Sequence, residues 1–219
     1  MAETRTPLSR DRVIDAALAL ADERGVKALS MRNLAEELGV KAMSLYNHVA
    51  NKDDVLDAIT DAVMREIAAP AADAEWKAQV REIAISAHET LLRHPWVVGL
   101  GARQRPGPGL MRYGDSLLGC FRNAGFSKEL TYHAYHVIEG YILGYTTQVL
   151  NFRAVDTTQL GDIMDRFSRG DFADAFPHFT EHAIQHIEPV PGQEDLNGYE
   201  LGLDLILAGL EQLRVSGSR

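Results

Sequence analysis

A chain of 219 residues, 46% hydrophobic and 24% charged, can form one large folded unit or a small one joined to a larger. Its single cysteine, Cys120, excludes an intramolecular disulfide and a cysteine-based zinc site. The net charge of −9 excludes a protein that is basic throughout, but the charge is uneven. Residues 1–52 carry eight Lys/Arg against seven Asp/Glu, whereas the other 167 carry fourteen against twenty-four. An acidic body with a neutral-to-basic head can still meet a polyanion, because that needs only a local positive field. The start, MAETRTPLSRDR, contains no apolar run of the signal-peptide kind. The longest uncharged run, Gly140 to Phe152, is too short and polar to span a bilayer. The expectation is a cytoplasmic protein without a membrane partner.

The apolar spacing is helical almost throughout, and no strand pattern or repeat is visible, so the expected fold is all-α. Val13, Ile14, Ala17, Leu20 and Ala21 form one helix face, with Ser9 as N-cap, Leu8 as a staple and Gly25 as the stop. A short helix starts after Ser30 and stops at Gly39, and a third runs from about Lys41 to His48. Asn51 caps a fourth that ends near Pro70, with Asp53 and Asp54 in its first turn where the dipole favours carboxylates. Longer helices follow over about Ala74–Arg93, Leu110–Asn123 and Ser127–Phe152, with a Gly/Pro-rich loop at Gly101–Gly109. The polar stretch from Asp156 to Asp171 reads as mobile or only partly helical. Helices over Phe172–Ile187 and Tyr199–Leu213 end the chain, separated by the loop EPVPGQEDLNG.

The arrangement helix, tight turn, helix carries the functional reading. Leu34, Leu38, Val40, Leu45 and Val49 are spaced so that two short helices can pack steeply on the first, with Gly39 in the turn. With those residues inward, Lys41, Ala42, Met43, Ser44, Tyr46, Asn47 and His48 are left outside. The stretch Leu38–Lys52, LGVKAMSLYNHVANK, contains no acid at all. Tyr, Ser, Lys and helix N-termini are common phosphate contacts, which brings Ser30, Lys41 and Ser44 into this surface. Ala and Met can lie on a thymine methyl, and Arg32, in the first turn of the preceding helix, can read a guanine edge.

At LSMRNLAEELGVKAMSLYNHVANKDDVL the chain resembles the DNA-binding domain of the TetR family of transcriptional regulators. The resemblance covers about residues 9–56 and rests on Gly39-Val40, Leu45-Tyr46, His48-Val49 and Asn51-Lys52. It implies that Tyr46, His48 and Lys52 hold phosphates, and that Arg32, Ala42, Met43 and Asn47 lie at or near bases. The last helix resembles the C-terminal helix of the tetracycline-repressor branch. The expected organisation is a DNA-binding domain at residues 1–56 and a helical ligand-binding and dimerisation domain at residues 57–219.

A single three-helix head makes few contacts, so the expected binding form is a homodimer on a near-palindromic double-stranded operator. Leu201, Leu205 and Leu213 with Gly202 and Gly209, and Gly140 and Gly144 on the long helix, are the candidate dimer surfaces. The resemblance implies a four-helix bundle between subunits and a small-molecule effector in the body. Trp96, Met111, Tyr113, His133, His136, Glu139 and Tyr141 are the candidate pocket residues, apolar bodies with polar tips. Tetracycline with magnesium is not expected. VVGLGARQ has no histidine, Gly140 stands near where the long helix would present one, and Gln148 replaces the expected carboxylate. His178, His182 and His186 recur on one helix face but converge poorly on one ion, so no metal or cofactor is expected. The rival readings are a helical enzyme and a protein-interaction module. No nucleophile–base motif, phosphate loop or zinc motif supports the first, and the intact Tyr46, His48 and Lys52 oppose the second.

Overall fold

Every regular element among the described residues is helical, in a computed structural model that describes residues 7–71, 73–100, 105–154, 161, 170–185 and 197–217. The first helix, α1 (Arg10–Arg24), starts where Ser9 accepts the Arg12 amide and stops at Gly25, whose φ is 76°. A single 3-10 turn over Val26–Ala28, not evident from periodicity, leads into α2 (Met31–Leu38). Ser30 caps α2 by accepting the Asn33 amide. Gly39 ends it in the left-handed region, φ 64°, where a side chain would be strained. The Val40 amide then reaches back to the Ala35 carbonyl at 3.0 Å, closing a Schellman-type turn.

The third helix departs from expectation. Residues Lys41 to His48 were expected to be helical, but α3 is only Ala42–Leu45. Tyr46, Asn47 and His48 form a turn, with the His48 amide on the Leu45 carbonyl at 2.8 Å. The reason is that Val49 must turn inward within four residues of buried Leu45, before Asn51 opens the next helix. That helix, α4 (Lys52–Glu66), is followed by α5 (Trp76–Arg93), α6 (Trp96–Leu100), α7 (Pro108–Asn123) and α8 (Lys128–Arg153). Two short helices, α9 (Gly170–Ala175) and α10 (Pro177–Gln185), replace the single one expected over Phe172–Ile187. Pro177 takes the first position of α10, where its missing N–H is harmless. The last helix is α11 (Gly198–Ser216). Gly101–Gln104, most of Asp156–Asp171, His186 and most of the EPVPGQEDLNG loop lie outside the described residues.

Two apolar cores result, and α4 contributes to both. Val55, Ile59 and Val63 close the head core against Val13, Ala17, Leu20, Leu34 and Leu45. Met64 and Ile67 enter the body core, which is centred on Ile83, Leu117, Phe121, Ile138 and Leu203. The division expected at residues 56/57 therefore falls inside a continuous helix, and the head core extends to Val63 and takes in Trp96 from α6. Gly202, expected on a dimer face, packs inward instead: a Cβ there would collide with the Tyr141 hydroxyl. Gly140, Gly144 and Gly209 face open space.

α4 and α7 cap each other. Asp61, buried on α4, accepts the Gly109 amide in the first turn of α7 at 2.6 Å and the Arg65 guanidinium at 2.6 Å. Arg112 of α7 donates to the Arg65 carbonyl at 3.0 Å and the Ile67 carbonyl at 2.9 Å, at the end of α4. Gly107 and Gly109 are required because a Cβ on either would overlap Asp61. The Gly/Pro run read as a loop from sequence is thus a site of close backbone approach. Asp61→Ala should lower stability by about 1–3 kcal/mol, because a helix-terminal N–H loses its buried acceptor. A urea unfolding midpoint within error of the parent would remove Asp61 from this role.

Candidate nucleic-acid interface

The residues expected to meet DNA lie together on the outer surface of the head. Met43 is 75% and Tyr46 46% exposed. Lys41, Asn47 and Lys52 are also exposed, while Ser44 and His48 are half-buried beside them. Ala42 is half-buried and packs partly on the head core, so its methyl has a structural share as well. Ser30 is likewise committed to capping α2. Arg32 is exposed but forms an i,i+4 pair with Glu36, Nε to Oε1 at 3.0 Å, side chains 86% and 64% exposed. Such a pair is weak in water, and Arg32 can exchange it for a stronger bidentate acceptor.

The far edge of this surface is held by a charged clamp that sequence alone did not show. The Arg10 fork donates to both Asp54 oxygens, at 2.7 and 3.0 Å, and to the His48 carbonyl at 3.0 Å. Asp54 also accepts the Ala50 amide at 2.8 Å, while Asn51 accepts the Asp54 amide at 2.9 Å. The turn carrying Tyr46, Asn47 and His48 is thereby tied to both α1 and α4. The hydrogen bonds from Arg10, then from the Ala50 amide, hold the Asp54 carboxyl down to about 2. Its charge is offset by the Arg10 guanidinium.

The seven residues expected around a ligand pocket are not brought together. Trp96 belongs to the head core, where its Nε1 donates to Asp22 at 2.7 Å. Met111 is exposed on α7, and His133 and His136 are exposed on α8, on the opposite side from Ile138 and Ile142. A helix shows each face to only one side, and these residues fall on the outward one. Tyr113 and Glu139 do meet, the phenol donating to the carboxylate. Burial pushes the Glu139 carboxyl above its usual range, although the Tyr113 hydrogen bond opposes this. Burial together with the nearby carboxylate pushes the Tyr113 phenol well up. Tyr141 stacks on Tyr199, ring centroids 5.2 Å apart, and donates to the Tyr199 carbonyl at 2.7 Å.

Sequence reading missed the rest of this polar-aromatic group. His88 of α5 bonds Thr146 of α8 at 2.7 Å and stacks on Tyr199 at 4.0 Å, with Tyr145 edge-on. Burial lowers the basicity of His88. The signal was present: His88 follows Ala84 by four residues, and Thr146 follows Ile142 by four, so both are polar residues at core spacing. His178 and His182 are exposed on α10, and His186 lies outside the described residues. Among the described residues no group of three or more His, Cys, Asp or Glu is placed to hold a metal ion, and none of their helices is long and apolar enough to cross a membrane.

Two family models match. The one described as bacterial regulatory proteins, tetR family, matches residues 13–59, and the one described as tetracyclin repressor-like, C-terminal domain, matches residues 69–214. The tetracycline repressor protein class A from transposon 1721 of Escherichia coli is 32% identical over 215 residues, covering 96% of this chain and 94% of that protein. An HTH-type transcriptional regulator from Saccharopolyspora erythraea is 29% identical, covering 94% of this chain and 86% of its own. Among solved structures, ActR from Streptomyces coelicolor superposes with a TM-score of 0.75 at 28% identity, covering 97% of this chain and 99% of its own. ActR has also been solved in complex with actinorhodin.

The Asp54 clamp makes a pH prediction. A folded-state value near 2, below the roughly 3.9 of an unfolded aspartate, gives stability that is complete above about pH 4. That contribution is lost as pH falls from about 4 towards 2. Asp54→Asn should flatten this part of the stability–pH curve, read as urea midpoints at stepped pH. An unchanged acid limb would place the dependence on other carboxylates.

Proposed function

The chain belongs to the TetR family of transcriptional regulators, ligand-responsive DNA-binding repressors rather than enzymes, and we propose that it acts as a homodimer on a near-palindromic operator. The observation that carries the DNA-contact assignment is the acid-free face of the head, exposed at Lys41, Met43, Tyr46, Asn47 and Lys52. On this reading Tyr46, His48 and Lys52, with Ser30, Lys41 and Ser44, position the phosphate backbone. Met43, Asn47, Ala42 and Arg32 face the bases.

The dimer surface is proposed on α8 and α11. Val137 and Leu143 are exposed on the first and Leu201, Leu205 and Leu213 on the second, beside Gly140, Gly144 and Gly209 that leave room for a close neighbour. Apolar exposure of this kind on two adjacent helices favours burial by a second copy. The effector is proposed to act on the polar-aromatic group of the body: Glu139, Tyr113, His88, Tyr141 and Tyr199. Support comes from the relative solved with actinorhodin and from the chemistry of the group, aromatic walls with a few polar tips. Release follows if the effector binds better to a body conformation whose heads do not fit the operator.

Lys52→Ala should weaken binding to all duplexes and reduce the log–log salt slope by about one, as for one lost phosphate contact. Arg32→Ala should instead relax preference at one base pair, by about 1–3 kcal/mol. Fluorescence anisotropy over a salt series and a set of single-base operator variants separates the two. Equal salt slopes in parent and Lys52→Ala would take Lys52 off the interface.

Leu205, 67% exposed, tests the dimer. Leu205→Glu should convert the full-length protein to a monomer in sedimentation velocity without loss of helicity; a dimer of parental affinity would place the interface elsewhere.

A further inference from the structure

The Arg10–Asp54 clamp does more than join two helices. Arg10 is the first residue of α1, and Asp54 lies in the first turn of α4, 44 positions later. The guanidinium meets the carboxylate fork to fork, and its Nη1 also donates to the His48 carbonyl at 3.0 Å. The Asp54 Oδ2 oxygen that receives Nη1 also accepts the Ala50 amide at 2.8 Å. The two pinned backbone groups stand on either side of Val49, which is buried in the head core. The core thus fixes where the chain turns, and the clamp fixes how the flanking peptides are rotated.

That rotation governs the face outside. α3 is a single turn, Ala42–Leu45, and so short a helix has little stability of its own. The directions of Tyr46, Asn47 and His48 therefore depend on what holds the backbone around them. From within, the His48 and Val49 amides bond the Leu45 carbonyl at 2.8 and 3.0 Å. From the far side, Arg10 and Asp54 hold the His48 carbonyl and the Ala50 amide. An ion pair with side chains 48% and 28% exposed contributes little stability as a rule. A bidentate pair that also binds two backbone groups contributes geometric definition instead. The pair is neutral as a unit, so it adds little to the field that draws phosphates.

We propose that the Arg10–Asp54 clamp determines sequence specificity without touching a base, by holding the Tyr46–His48 turn in the orientation from which the head reads its operator. Arg10 and Asp54 are then positioning residues that act through the turn. Binding to DNA of any sequence rests on charge and tolerates loose geometry, whereas reading base edges does not. The clamp therefore widens the gap in affinity between the operator and other DNA. The inference rests on the reading of the acid-free face as the DNA contact.

The test is a double substitution in the full-length protein, Arg10→Met with Asp54→Ala, which removes the clamp and leaves the net charge unchanged. Fluorescence anisotropy compares it with the parent on two duplexes: one that the parent selects from a random pool, and a scrambled one of the same composition. Affinity for the selected duplex should fall about three- to tenfold, the equivalent of roughly one net hydrogen bond. Affinity for the scrambled duplex, and the salt slope on both, should stay at the parent's values. Arg10→Lys, which keeps the charge but loses the fork, should show the same selective loss. Asp54→Ala alone discriminates by sign. If charge were its only effect, removing a carboxylate beside the phosphate-binding face would tighten binding to every duplex, whereas loss of the clamp weakens binding to the selected one. The two single substitutions carry the test if the double variant loses helicity. An unchanged preference, equal losses on both duplexes, or tighter binding of the selected duplex by Asp54→Ala overturns the proposal. A salt slope reduced by about one in the double variant also overturns it, by making Arg10 a phosphate contact. A parent that selects no sequence from the pool would instead overturn the reading of the head.

Discussion

The fold depends on one helix serving two cores. Val55, Ile59 and Val63 of α4 close the head, while Met64 and Ile67 enter the body. Packed interiors accommodate displacement badly, because a shift of even a methylene's width loses contacts on one side and creates clashes on the other. A movement of α4 that suits one core must therefore be matched in the other. For a regulator this is a useful constraint, since it allows a change in the body to reach the head without a flexible linker.

Apolar packing transmits position but specifies orientation poorly, and the seam adds directional bonds for that purpose. Asp61 and Arg112 tie each end of the α4–α7 contact by reciprocal capping, so neither helix can slide without uncapping the other. Asp22, His94 and Glu66 tie α1 and α4 to the turn before α6. Each bond contributes little net energy, about 1 kcal/mol or somewhat more for charged partners, but a broken buried one leaves a desolvated group behind. Breaking is therefore steeper than forming is favourable, which makes such contacts good switches and modest sources of stability.

How much of this was legible depended on the range of the interactions. The head was readable because its signals are local: Ser9, Ser30 and Asn51 cap within three residues, and Gly39 supplies its own turn. The exposed face followed once Leu45 and Val49 were placed inward. Trp96, Met111, His133 and His136 fell away from the expected group because residues with apolar bodies and polar tips suit a core, a surface or a site equally. Trp96 went to the head through Asp22, a residue more than seventy positions away. His136 and His133 lie only about 60° and 120° around α8 from Glu139, a difference that periodicity in one mixed helix does not resolve. The Gly107–Gly109 run looked like a loop because the reason for its glycines, the Asp61 side chain, lies on another helix.

The division of charge gains a structural meaning from the same contacts. An acidic body beside a DNA-facing head would repel phosphate if its carboxylates faced the duplex. Two carboxylates of the head are matched by donors: Asp54 by Arg10 and the Ala50 amide, Asp22 by His94 and Trp96. Those pairs serve two ends at once. They fix the angle of α1 against α4 and the body, and at Asp54 a guanidinium offsets negative charge beside the stretch Leu38–Lys52, which contains no acid of its own. Removing either carboxylate would therefore change orientation before it changed the field, because a screened charge near the protein surface acts weakly beyond about 10 Å at ordinary ionic strength, whereas a lost hydrogen bond acts at the hinge itself.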